Sequence, residues 1–214
     1  QEMLNVCTNY GKEYDVMFNP KKTQCMKFST NSSKDTNIYV KLCDQQLSWV
    51  NSFKYLGNWV SNTLSEDIEI DRKLGVFFGN VNNLKTTFRN IGRKNLFILF
   101  NSYCCHLYGS QAWRLRDKNI SRMYTAWNKA VRHLSDIPYN THTRFLPYIV
   151  DTLNIKEQIY IRSAKMIKSM LVSKNNSVRF LARSNVNNKL TIIGENWDVI
   201  NCCVELNQSV NSAK

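Results

Sequence analysis

The sequence predicts an α+β protein in which short strands come first and long helices follow. Up to about residue 62, apolar residues fall in short runs between turns. Ile38, Val40 and Leu42 alternate with Tyr39 and Lys41, which is the period of a half-buried strand. From about residue 67 the apolar period changes to that of a helix. With 214 residues, 43% of them hydrophobic, the chain can bury a core. We therefore expect a partial antiparallel sheet followed by an all-helical remainder.

The first part of the chain is predicted to contain one helix and several short strands. Apolar residues recur at helical spacing over Glu2–Glu13, and Gly11 marks the fraying end of that helix. Asn19 and Pro20 predict a turn, because proline presets the backbone angle that a turn needs. The predicted strands cover residues 16–18, 24–28, 38–42 and 47–50, with a polar loop at 31–36 and a turn at 44–45. Residues 53–60 are read as one more extended segment, with Gly57 at a bulge.

Amphipathic helices dominate the rest of the sequence. The first is expected from Asp67, because acidic residues in a first turn suit the positive end of the helix dipole. Its apolar stripe consists of Ile70, Leu74, Phe77, Phe78, Val81, Leu84 and Phe88. The face of the helix predicted at 117–135 consists of Ile120, Met123, Tyr124, Trp127, Val131 and Leu134. A helix is also predicted at 94–108, and the side chains expected to point inward are Leu96, Leu99, Phe100, Tyr103 and Leu107. Further helices are predicted at 155–172, 178–183 and about 197–206.

Positive charge is concentrated in the helical part. The whole chain has a formal net charge of +13. Residues 1–71 contain seven Lys and Arg against nine Asp and Glu, whereas residues 85–183 contain eighteen against four. A basic field this one-sided attracts polyanions and is typical of nucleic-acid-binding proteins. The alternative is a solvated face that only keeps the protein soluble.

Basic residues of the helical part are the predicted nucleic-acid contacts. Lys85, Arg89 and Arg93 are spaced four residues apart, which would place them on one edge if the first long helix continued through them. Such side chains neutralise phosphates without reading base sequence. The complete predicted set is Lys85, Arg89, Arg93, Lys94, Arg114, Arg116, Lys118, Arg122, Lys129 and Arg132.

Several other site classes find little support in the residues. No histidine lies in the pattern of a nucleophilic triad, and no phosphate-cradling G-x-x-x-x-G-K-[ST] loop occurs. The seven cysteines lack zinc-finger spacing, and reduced thiols in a reducing compartment suit them better. Asp67 and Asp71 could hold a divalent cation on one helix face, but carboxylates in a first turn are the ordinary way to match the dipole. No metal site is therefore predicted. Nor does any apolar run reach the length of a membrane span.

The order of motifs resembles the reverse transcriptases of non-LTR (LINE-like) retrotransposons, in the part that follows the catalytic aspartates. Leu4, Cys7, Tyr10, Glu13 and Tyr14 look like the helix after the active-site hairpin of that family. Residues 18–28 are similar to polymerase motif D of the family. Motif E is matched by Phe53-Lys54-Tyr55-Leu56-Gly57, and a thumb signature by residues 107–113. The segments at 138–142 and 146–147 fit the region beyond the thumb. The resemblance covers nearly the whole chain.

This resemblance implies roles for the residues that match. In motif D of the family a lysine lies near the phosphates of the incoming nucleotide, and Lys22 is the matching position, with Lys21 the less favoured one. In motif E, Phe53, Lys54, Tyr55, Leu56 and Gly57 would form the primer grip, a tight turn whose backbone approaches the last phosphate of the primer.

The chain also departs from the family. It contains no Asp-Asp pair, so it lacks the carboxylates with which the family binds two catalytic metal ions. Gln111 stands where many relatives have glutamate. No cofactor is therefore expected in this fragment, although two Mg²⁺ ions are expected in an intact parent enzyme. Whether to call the chain an enzyme stays open, because the fragment should not polymerise DNA alone.

The resemblance implies three regions and a set of partners. They are a partial palm at 1–62, a helical thumb at 63–136 and a C-terminal helical extension at 137–214. The expected partners are a duplex of RNA template and DNA primer, and the remaining palm and fingers of the parent polypeptide, with no membrane. An intracellular location is expected, with nucleus and cytoplasm both open. The alternatives are a non-catalytic nucleic-acid-binding protein derived from the thumb and a purely structural helical module.

Overall fold

The computed structural model describes residues 1–28, 38–116 and 118–212, and its architecture is α+β as predicted. The chain divides into two compact units, Gln1–Glu69 and Ile70–Lys214. The first combines one helix with short strand pairs, and the second is helical throughout its described elements. The predicted loop at 31–36 and the predicted helix start at Asp117 lie outside the described residues.

Among its described residues, the N-terminal unit contains helix α1 at Glu2–Glu13, as predicted, and six strands of two to four residues. The strands are β1 (Gln24–Cys25), β2 (Lys41–Leu42), β3 (Gln45–Gln46), β4 (Ser48–Trp49), β5 (Ser52–Tyr55) and β6 (Asn58–Ser61). They form three separate pairs rather than one sheet. The β2–β3 pair is antiparallel, as expected, and β5–β6 is a second antiparallel pair. Strands β1 and β4 pair in parallel, which the long connection between them allows.

The strand predicted at residues 16–18 is absent, since these described residues form a connection without regular structure. Asp15 adopts a left-handed backbone angle (φ 52°) just before them. The Val16 N–H donates to the carbonyl of Gly11 at 2.9 Å and so gives a hydrogen-bond partner to one of the last carbonyls of α1. Met17 is left 93% exposed to solvent.

The stretch read as one extended segment at 53–60 is a β-hairpin. Strands β5 and β6 pair with Phe53 opposite Val60 and Tyr55 opposite Asn58. Leu56 and Gly57 form the two-residue loop, with φ of 47° and 87°. Positive φ at both loop residues matches the twist of the strands, although leucine adopts it at a cost. The tight turn expected here therefore lies at Leu56–Gly57.

The helical unit is built from amphipathic helices, and several of the predicted ones are confirmed. Helix α2 spans Asp67–Thr87 and helix α4 spans Lys118–Ser135. The others are α3 (Arg93–Leu99), α5 (Leu146–Val150), α6 (Ile155–Leu171), α7 (Asn176–Asn185) and α8 (Ile192–Ser212). Helix α6 begins with a capping box between Asn154 and Glu157, each side chain accepting from the other's backbone N–H. None of the described helices is both long enough and apolar enough to cross a bilayer.

One hydrophobic core holds the helical unit together. Five of the six α4 residues predicted to face inward are buried, and Tyr124 is half-buried. Leu146 and Ile155 belong to the same core as Trp127, so residues on both sides of position 137 contribute to it. On α2, Phe78 is 39% exposed, and Phe88 lies beyond the helix end and is 42% exposed, so the predicted stripe is wrong at these two positions.

The helix predicted at 94–108 is shorter and changes its winding. Helix α3 continues at Phe100–Cys104 as a single π-helical turn, in which the Cys105 N–H donates to the carbonyl of Phe100. The wider turn rotates the following side chains relative to an α-helix. Tyr103 is therefore 54% exposed instead of inward, while Cys104 and Cys105 are buried. Burial raises the pKa of the Cys104 thiol to about 11 and is also the main reason why that of Cys105 is raised to about 12.

Candidate nucleic-acid interface

Helices α2 and α4 lie side by side and are joined by ion pairs at two places. Asp71 accepts a hydrogen bond from Arg122, and Asp136 accepts one from Lys85 at 2.6 Å. Both pairs join residues 51 positions apart in sequence. The two helices therefore run in the same direction, and the surface between them is called here the α2–α4 seam.

Between the described residues, no such ion pair joins the two helices in the middle of the α2–α4 seam. Phe78 lies seven residues after Asp71, and Lys129 lies seven residues after Arg122. Seven residues are about two helical turns, or about 10 Å, so each lies on the same side of its helix as the paired residue before it. Phe78 and Lys129 line one cavity of about 360 Å³, together with Leu74, Ser121, Arg122, Thr125 and Ala126.

A second, larger cavity lies where α2 and α4 end. Its volume is about 510 Å³, and we call it the basic groove. Lys85, Arg89 and Arg93 supply its positive charge, and Ser135 and Asp136 line it from the end of α4. The remaining lining residues are Thr86, Phe88, Ile91, Leu96 and Leu134.

The way in which two helices end explains why these residues meet. Helix α2 stops at Thr87, and Gly92 is the N-cap of α3, so the chain turns between Arg89 and Arg93. Helix α4 ends with Asp136 in the left-handed conformation (φ 54°), and the Ile137 N–H donates to the carbonyl of Arg132. The prediction that Lys85, Arg89 and Arg93 lie along one continuous helix is therefore wrong, although the turn brings them into one groove.

Asp136 is the acidic residue of the basic groove. Its hydrogen bond from Lys85 holds the pKa of Asp136 below the ordinary value, and the charges of Lys85, His133 and Arg93 act in the same direction. The carboxylate of Asp136 is thus ionised at neutral pH and forms an ion pair with the ammonium group of Lys85.

Half of the predicted phosphate contacts have partners within the protein. Besides the two seam pairs, Arg114 lies 3.5 Å from a carboxylate oxygen of Glu195. Arg116 pairs at 2.6 Å with Asp198, whose pKa is lowered by a hydrogen bond from Lys189 and by Arg116. Arg132 donates to the carbonyl of Thr141 at 2.8 and 3.3 Å. The partnered residues are Lys85, Arg114, Arg116, Arg122 and Arg132.

The other five predicted contacts are exposed. They have no ion pair with any residue that the structure describes, and we call them the unpaired cations. They are Arg89, Arg93, Lys94, Lys118 and Lys129. An unpaired, solvated cation can approach a phosphate without first breaking a contact within the protein.

The predicted site residues of the N-terminal unit lie on exposed turns. Lys22 lies in the turn after Pro20, where its N–H donates to the side chain and the carbonyl of Asn19 and its own side chain is exposed. Of the five predicted primer-grip residues, Phe53 is half-buried, while Lys54, Tyr55, Leu56 and Gly57 are exposed at the β5–β6 hairpin.

The base of this hairpin is held by a side chain that the sequence analysis did not single out for this role. Glu69, which is buried, accepts a hydrogen bond from the Trp59 N–H at 3.0 Å. The Ser61 hydroxyl donates to the carbonyl of Ser65 at 2.9 Å. The hairpin therefore has a fixed base and an exposed tip.

Sequence reasoning also missed residues of the helical unit. Ser135 and Asp136 were not predicted as site residues, although Ser135 ends the amphipathic helix α4 and Asp136 follows it directly. The seven-residue spacing of 71, 78 and 85, repeated by 122, 129 and 136, is the signal that could have revealed the α2–α4 seam. Asn196 was missed as well, and its side chain joins α8 to the backbone of Trp113 and Leu115.

Comparison with known proteins adds no relative: no family model, no curated protein and no solved structure matches this chain. Among the described residues, no group of three or more His, Cys, Asp and Glu side chains is placed to hold a metal ion.

Proposed function

We propose that the helical unit binds nucleic-acid duplexes through their phosphates, without reading base sequence. The observation that carries this proposal is the division of the predicted cations into partnered residues and five unpaired cations. Of the unpaired cations, Arg89 and Arg93 line the basic groove, and Lys129 lines the cavity in the middle of the α2–α4 seam. Point charges on a rigid helical frame suit a ligand with a regular array of negative charge.

The motif order supports a more specific form of this proposal. In it, the chain is the C-terminal part of an RNA-directed DNA polymerase of a non-LTR retrotransposon, and its ligand is the duplex of RNA template and DNA primer. Helices α2 to α4 have the role of the thumb, and the β5–β6 hairpin holds the primer end. Without the metal-binding aspartates the chain grips the duplex but does not extend the primer.

Gly57 suits this role of the hairpin. It adopts a positive φ of 87° at the exposed tip. A residue without Cβ lets another backbone approach closely, which a contact with the phosphate of a primer end requires. The aromatic side chain of Tyr55, 62% exposed beside the turn, offers a face on which a base or a sugar can pack.

Binding to short duplexes of unrelated sequence tests the proposal. We expect the full chain to bind RNA–DNA duplexes of different sequence with affinities that agree within about threefold. Five phosphate contacts predict that affinity falls by a factor of about 10² to 10³ between 50 and 200 mM salt. Fluorescence anisotropy with a labelled duplex measures both quantities. No binding at 50 mM salt, or a strong preference for one base sequence, would overturn the proposal.

Two matched double variants assign the binding to particular residues. Replacing Lys118 and Lys129 with glutamine removes two unpaired cations and should reduce the slope of log affinity against log salt by about two. Replacing Arg114 and Arg116 removes the same charge from residues that pair with Glu195 and Asp198. We expect a clearly smaller change in slope for this control. Equal changes in both variants would show that binding depends on net charge alone.

A further inference from the structure

The basic groove differs from the rest of the cationic surface because it contains a buried hydroxyl group without a partner. Ser135 is 4% exposed, and its Oγ makes no hydrogen bond with any residue that the structure describes. Ser135 lines the groove beside the positive side chains of Lys85, Arg89 and Arg93. A buried polar group usually has a partner, because leaving it without one costs free energy. A ligand that accepts a hydrogen bond from Ser135 would supply this partner.

The charge of the groove indicates what kind of ligand this is. Three basic side chains and one carboxylate leave two net positive charges among the lining residues. The C-terminal end of α4 subtracts roughly half a charge, because its last carbonyls carry partial negative charge. An internal phosphodiester has one negative charge, whereas a terminal phosphomonoester has close to two at neutral pH and three acceptor oxygens. The groove therefore matches the monoester better.

We propose that the basic groove binds the terminal phosphate of a nucleic-acid strand. Arg89 and Arg93 hold the phosphate oxygens, and the Ser135 hydroxyl, which is buried when the groove is empty, turns towards the groove and donates a hydrogen bond to one of them. Asp136 competes with the phosphate for Lys85, to which it is hydrogen-bonded at 2.6 Å. This inference rests on the proposed function and extends it, because it assigns one place on the interface to a strand end.

The test compares three forms of one short RNA–DNA duplex, in which one strand has a 5′-phosphate, a 3′-phosphate or hydroxyl groups at both ends. We expect one phosphorylated form to bind the full chain about tenfold more tightly than the form without a terminal phosphate. Inorganic phosphate, added at constant ionic strength, should compete for this preference and leave the remaining binding unchanged.

Two variants change the preference in opposite directions. Replacing Arg89 and Arg93 with glutamine should abolish the preference while Lys94, Lys118 and Lys129 still support binding. Asp136→Asn should increase the preference by a factor of about three, because it releases Lys85. Asparagine tolerates the left-handed backbone at this position as aspartate does. Lys118→Gln, outside the groove, is the control that keeps the preference.

The outcomes separate the two proposals. Equal binding of all three duplexes by the wild-type protein would overturn the terminal-phosphate site and leave duplex binding intact. A preference that survives the Arg89 and Arg93 replacements would also overturn it, since the phosphate would then bind elsewhere. Absence of binding to every form at low salt would overturn both proposals.

Discussion

The N-terminal unit and the helical unit bury their apolar side chains to very different degrees. Among the described residues of the N-terminal unit, only Leu42 and Leu47 are buried hydrophobic side chains, and α1 buries none. The helical unit has a continuous core around Trp127. Strands of two to four residues in separate pairs are too short to build a core of their own, whereas amphipathic helices bury a full stripe each.

This difference matters for the two parts of the proposed interface. The unpaired cations of the helical unit are attached to packed helices or to the short connection between them, so their spacing is set by the core. The tip of the β5–β6 hairpin is fixed mainly by its turn and by hydrogen bonds at its base. The comparison therefore predicts that core substitutions affect the helical unit strongly and that turn substitutions affect the hairpin.

The largest effect is expected from Trp127→Ala. This side chain is completely buried in the core of the helical unit, and its removal should lower the free energy of unfolding by about 3 to 5 kcal/mol. Trp49→Ala in the N-terminal unit is the matched control. Trp49 is 46% exposed, and its indole N–H donates to the carbonyl of Ile38, so about 1 kcal/mol should be lost. Urea unfolding followed by circular dichroism measures both, and equal losses would contradict the comparison.

A smaller loss is expected from Asn196→Ala. The buried Asn196 side chain accepts from the Leu115 N–H at 2.9 Å and donates to the carbonyl of Trp113 at 2.8 Å. Its removal leaves both backbone groups without these partners in a buried place, which should cost about 2 to 3 kcal/mol. Asn187→Ala, at an exposed position, should change the unfolding free energy by less than about 0.5 kcal/mol. A similar result for both variants would mean that Asn196 does not hold α8 in place.

Leu56→Asn should have a small effect of the opposite sign. Leu56 has a φ of 47° and is 72% exposed, so its left-handed backbone costs free energy that burial of the side chain does not offset. Asparagine followed by Gly57 is the preferred sequence for this turn, and we expect a gain of about 1 kcal/mol in the hairpin. Hydrogen exchange of the β5 and β6 amides measures it. Tyr55→Asn, one position earlier in the strand, should bring no gain, and a gain there would contradict the explanation.

Helices were predicted from the sequence more successfully than strands, for a physical reason. The stripe of α4 repeats over five turns, so its face and its bounds follow from the sequence alone. The described strands of the N-terminal unit are two to four residues long, and a pattern over so few residues does not show which strand pairs with which. The parallel pairing of β1 with β4 depends on contacts between distant residues, as does the absence of the strand at 16–18.

The candidate interface could be predicted as a set of basic residues but not as a geometry. The basic composition of the helical part pointed to ten cations. Which of them are unpaired depends on carboxylates far away in sequence: Asp71 and Asp136 lie 51 positions from their partners, and Asp198 lies 82 from Arg116. The basic groove also could not be predicted, because it forms at the turn between α2 and α3. The four-residue spacing of Lys85, Arg89 and Arg93 had suggested that this turn is part of a helix.

The salt dependence of duplex affinity in a variant without the unpaired cations tests the central claim most directly. Arg89, Arg93, Lys94, Lys118 and Lys129 would all be replaced with glutamine, and circular dichroism would check that the helices are intact. We predict that the slope of log affinity against log salt falls from about −4.5 in the wild type to near zero. A variant that keeps most of the wild-type slope would contradict the claim that these five residues contact the phosphates.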